Sequence, residues 1–123
     1  MDVVVAQLGF KAANAIAVNK AKQGAALEFL IRQMAATASE MKAALLIVYL
    51  PDESISRSPQ VLSRSAETLG YRFLDLSEAF LRLGAADRAR LYLPNDGHPS
   101  AEGHALIARE LVVHIRRKNL LPR

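Results

Sequence analysis

The chain has 123 residues, 51% of them hydrophobic and 23% charged, with a formal charge of +4. That length suits one globular domain, residues 1 to 123, and is short for a complete α/β enzyme. No apolar run reaches the roughly 18 residues of a membrane span, and the lack of Cys excludes disulfides and thiolate ligands.

The charge surplus is carried by Arg116, Arg117, Lys118 and Arg123. A basic tail of this kind complements a helix C-terminus, whereas nucleic-acid binding calls for a basic stripe interleaved with aromatics, so no nucleic-acid partner is expected. The opening MDVVVAQLGF lacks the basic start and cleavage site of a secretory signal. The composition assigns no compartment.

Residues 2 to 8, DVVVAQL, form a β-branched apolar run closed by Gly9, which predicts a strand buried on both faces. Residues 12 to 23 suit a separate helix or a helical loop. From 24 to 42, Leu27, Leu30, Ile31, Met34, Ala35 and Ala38 recur at spacings of three and four, one apolar face of a helix. The run AALLIVYL, 43 to 50, predicts a second strand that ends at Pro51. Residues 59 to 69 suit a helix with Ser58 as its cap, Pro59 at its first position and Gly70 just past its end. YRFLDL, 71 to 76, predicts a third strand, residues 77 to 83 a short helix stopped by Gly84, and residues 100 to 118 a long final helix.

Strands alternating with helices predict an α/β fold: a parallel sheet covered on both faces, a three-layer α/β/α arrangement of the flavodoxin-like kind, with three strands in this chain. Ligands of open parallel sheets sit beyond the carboxyl ends of the strands. That rule points to three segments: 9 to 13, 51 to 58 and 91 to 98.

The last of these, LYLPNDGHP, is the most suggestive. Pro99 biases His98 towards an extended backbone at the lip of the final helix, with Ser100 as that helix's cap. A carboxylate two residues earlier, Asp96, can accept a hydrogen bond from the imidazole and fix its tautomer, as a general base requires. Asp96 and Gly97 also suit a plain turn with a surface His beside it. His98, His104 and His114 are too far apart in sequence for the helical spacing of three or four that metal pairs prefer, so neither a metal nor a cofactor is expected. Packing, with a buried or half-buried hydrogen bond, is the expected role of His104.

DGHPSAEGHALIA, 96 to 108, resembles the last block of the SGNH, or GDSL-type, esterase and lipase family, in which an Asp- and His-bearing loop leads into the C-terminal helix. DVVVAQLG is similar to that family's third strand, AALLIVYLP to its fourth and YRFLDLSEAF to its fifth. The resemblance implies a serine ester hydrolase acting on carboxylic esters or acetylated sugars, with His98 and Asp96 as its catalytic base and orienting carboxylate. This chain contains no Gly-Asp-Ser motif, and Lys11 stands where the family has an oxyanion-binding Asn. In many members the Asp precedes the His by three residues, a position held here by Asn95. Ser54, Ser56 and Ser58 are the local alternatives for a nucleophile, on a polar loop ill-suited to rigid presentation.

The resemblance therefore implies the C-terminal half of such a domain, lacking the nucleophile block and inactive alone. Its first strand would be an apolar edge, a template for pairing. A homo-oligomer, a dimer joined through residues 2 to 8, or a missing N-terminal segment is the partner this implies. A noncatalytic α/β oligomerisation module is the competing expectation.

Overall fold

The computed structural model describes residues 3 to 8, 20 to 52 and 60 to 121. Three strands, β1 (Val3–Leu8), β2 (Ala44–Tyr49) and β3 (Arg72–Asp75), form one sheet in the order β1-β2-β3. Both pairings are parallel, with Val3 opposite Ala44 and Leu46 opposite Arg72. All three carboxyl ends therefore lie at one end of the sheet. The fold is α/β with a parallel sheet, as the alternation of elements predicts.

β2 is buried along nearly all its length, and its alternate side chains enter two different clusters, as the two-residue period of a strand demands. Leu45, Ile47 and Tyr49 pack with Leu27, Ile31 and Ala38 of α1 (Lys20–Glu40) and Leu62 of α2 (Gln60–Leu69). Leu46 and Val48 pack on the other side with Ala79 and Phe80 of α3 (Ser77–Leu81), with Leu91 and Tyr92, and with Leu106 of α5 (Ala101–Arg117). Fully burying one of these large apolar side chains contributes roughly 1.5–3 kcal/mol, so β2 is the element on which both clusters depend.

Three of the helices stop in the same way. Lys42, Gly70 and Asn119 each take a positive φ within two residues of the ends of α1, α2 and α5. The following residue reaches back five positions: Ala43 N–H to Ala38, Tyr71 N–H to Ala66 and Leu120 N–H to Ile115. This closure satisfies carbonyls that the last turn would leave bare. Only Gly takes such a φ without steric cost, and Asn tolerates it; Lys42 is an unsignalled member of the set. Tyr71 then turns inward, 3% exposed, and its hydroxyl contacts Ser65 Oγ at 2.8 Å and donates to the Leu62 carbonyl. Burial pushes the Tyr71 hydroxyl pKa up, and the Ser65 contact offsets part of that rise.

Several expectations need correction. Residues 20 to 23 belong to α1, although the periodicity starts later. Leu30, placed on the inner face by its spacing, is 54% exposed, because the inward stripe is narrower and centres on Leu27, Ile31 and Ala38. An additional helix, α4 (Ala85–Arg90), follows Gly84. Ser58 and Pro59, expected to open α2, lie outside the described residues, as do residues 9 to 19. Among the described residues, no helix is long and apolar enough to cross a membrane.

Candidate active site

The loop between α4 and α5 is built from its foot upward. Leu91 and Tyr92 are buried, at 5% and 7% exposure. Tyr92 forms an antiparallel bridge with Pro99, and Ser100 N–H donates to the Leu91 carbonyl at 2.8 Å. One step higher, Leu93 N–H donates to the His98 carbonyl at 2.7 Å, and Asp96 N–H closes a turn on the Leu93 carbonyl at 3.3 Å. Asn95 and Gly97 both have positive φ, 61° and 69°, which explains the N-D-G composition of the tip.

Tyr92 fixes this loop to the sheet. Its ring lies 5.8 Å from that of Phe80, and its hydroxyl donates to the Pro51 carbonyl at 2.8 Å, with the Asp52 carbonyl at 3.1 Å. Pro51 and Asp52 lie two and three residues past the end of β2, so the loop is held at the carboxyl end of the sheet, the end where open parallel sheets bind ligands.

On the other side the loop runs into α5. Ser100 caps that helix by accepting from Gly103 N–H at 3.2 Å, and its hydroxyl donates to the Arg90 carbonyl at 2.6 Å. Gly103 has no room for a side chain, since a Cβ there would stand 2.2 Å from the Leu91 carbonyl oxygen. The Gly before His104 thus permits the close packing of α5 on the loop's foot. His104 itself points outward and is exposed, contrary to the buried role expected of it, because the side turned to the core carries Gly103, Leu106 and Ile107.

At the tip, His98 Nδ1 and Asp96 Oδ1 are 2.6 Å apart. The side chains are 61% and 50% exposed, so as an ion pair they contribute about 0–1 kcal/mol to stability. With Nδ1–H donating to the carboxylate, the lone pair resides on Nε2, and no described residue bonds that atom. The arrangement can take up a proton at Nε2. Asn95, the alternative carboxamide position, supplies the left-handed turn instead.

An open cleft of about 490 Å³ adjoins the loop, lined by Ala85, Arg88, Ala89, Tyr92, Leu93, Pro94 and Asn95. It touches the loop but is not lined by His98. A second cleft, between α1 and α2, is remote from this end of the chain. Lys11, Ser54, Ser56 and Ser58 lie outside the described residues. Among the described residues, no group of three metal-binding side chains gathers.

His114, which the sequence singles out only by its type, is half-buried on α5. Among the described residues its Nε2 has no hydrogen-bond partner, and its pKa is lowered first by burial and then by Lys118 and Arg117. The residue that sequence reasoning passed over is Tyr92; an aromatic between two Leu just before a polar loop was its available signal. Compared with models of protein families, with curated proteins and with solved structures, the chain matches none.

Proposed function

We propose that this chain is the C-terminal part of an SGNH-type serine ester hydrolase, acting on carboxylic esters or acetylated sugars. The observation that carries the reading is the Asp96–His98 contact of 2.6 Å on a loop tied by Tyr92 to the carboxyl end of β2. In this reading His98 Nε2 accepts the hydroxyl proton as the serine oxygen attacks the ester carbonyl, and returns it to the departing alkoxide. Asp96 holds the imidazole in the tautomer this requires. The nucleophile comes from outside the described residues. The apolar clusters on opposite sides of β2 support a three-layer, flavodoxin-like arrangement.

The test is turnover of p-nitrophenyl acetate by the protein as its gene encodes it. His98→Ala should abolish turnover, and Asp96→Asn should lower it by as much as about 10⁴-fold. Turnover indifferent to His98→Ala overturns the reading.

A second reading is favoured by a different observation. Among the described residues β1 is paired on one side only, and an open edge of that kind recruits another strand. The chain would then be a noncatalytic α/β oligomerisation module, a dimer through residues 2 to 8 or a complex with an N-terminal segment. Absence of both turnover and a covalent adduct with a serine-directed phosphonate favours this second reading.

A further inference from the structure

Helix α1 carries small or apolar residues on two sides. One side packs inward through Leu27, Ile31 and Ala38. On the opposite side Lys22, Ala26, Phe29, Gln33, Ala36 and Glu40 are all exposed, with Phe29 at 61%. Their spacings are 4, 3, 4, 3 and 4, the repeat that keeps one seam of a helix facing a second helix. A solvated helix face is ordinarily polar. The middle of this one reads Ala, Phe, Gln, Ala, with exposed Leu30 alongside.

The seam is also self-complementary when reversed. A twofold axis on the exposed side of the helix, level with position 31, carries position 22 onto 40, 26 onto 36 and 29 onto 33, because each pair is centred on 31. Lys22 of one copy then opposes Glu40 of the other at both ends of the contact. Ala26 opposes Ala36, which lets the two backbones approach, and Phe29 lies against the aliphatic stem of Gln33. A parallel pairing would instead set Lys22 against Lys22 and Glu40 against Glu40. The antiparallel arrangement also opposes the two helix dipoles favourably.

We propose that α1 docks antiparallel against α1 of a second copy of this chain, about a twofold axis that crosses the exposed seam level with position 31. An anionic membrane surface fits the seam poorly, since its charges, one Lys and one Glu, cancel rather than forming a basic face. A single helix face falls below the roughly 1,200 Å² of standard stable interfaces, so the dimer is reversible and is populated at high protein concentration. This inference does not depend on the hydrolase reading, and it uses a different surface from the β1 edge.

The experiment is sedimentation equilibrium of the whole chain over about two decades of concentration, with circular dichroism and urea unfolding to show that each variant is folded. A monomer–dimer equilibrium is expected. Lys22→Glu alone and Glu40→Lys alone should each weaken it several-fold, the two together should restore it, and Ala26→Arg should leave a folded monomer. A monomer at every concentration overturns the proposal. So does a dimer that ignores the single reversals, or one that the combined swap fails to restore.

Discussion

The foot and the tip of the loop between α4 and α5 lie a few residues apart and follow opposite rules. At the foot, Leu91 and Tyr92 are buried, their backbone pairs with Pro99 and Ser100 across the loop, and Gly103 leaves no space for a methyl group. At the tip, the side chains of Asp96 and His98 hydrogen-bond each other and are half or more exposed. The first arrangement generates stability; the second adds little of it and leaves an imidazole and a carboxylate open to solvent. The catalytic role proposed for this pair needs such a division, because the contacts of a solvent-facing pair are too weak to hold it in place.

Breaking the foot should therefore be costly. Gly103→Ala has the largest expected effect, a destabilisation of roughly 2–4 kcal/mol, since α5 must move away from the Leu91 carbonyl; urea unfolding measures it. Tyr92→Phe comes next, at about 1–2 kcal/mol, through loss of the hydroxyl that reaches the Pro51 carbonyl. The same denaturation experiment resolves it, and an unchanged midpoint would deny Tyr92 its anchoring role.

The comparison sharpens between two histidines. His114 has a folded pKa depressed below its ordinary 6.5, so the unfolded chain binds the proton first as pH falls. Its contribution is fully present above pH 6.5, is lost progressively below it, and disappears in His114→Leu. Chemical denaturation at about pH 7.5 and 5.5 should show a steeper acid loss for the parent chain than for the variant. The smallest change belongs to the tip, where Asp96→Ala and His98→Ala should each alter stability by no more than about 0.5 kcal/mol. A loss of several kcal/mol there would mean that the pair is structural.

Much of the architecture was legible because its signals are local. β2 and β3 lie within residues 43 to 50 and 71 to 76 as read, Gly70 marks the end of α2 and Ser100 caps α5. α4 was not legible: AADRAR has neither a side-chain cap nor a buried residue to give it a period. The end of α1 at Lys42 was equally silent, since a left-handed Lys has no sequence mark. Leu30 fell on the wrong side because a spacing of three or four describes a stripe wider than the contact. At the site, proximity along the chain brought Asp96 and His98 into view. Tyr92 was hidden because its partners lie some 40 residues earlier, and nothing in a linear reading connects them.

That remote tie has a kinetic consequence. Pairing β3 with β2 closes a span of 26 residues, from Leu46 to Arg72, whereas docking Tyr92 on Pro51 closes 41, the same span as pairing Val3 with Ala44, and so carries a somewhat larger entropic penalty than the β2–β3 pairing. The loop is thus expected to dock after β2 and β3 have paired. In stopped-flow chevrons, Tyr92→Phe should then accelerate unfolding while leaving the refolding limb where it was.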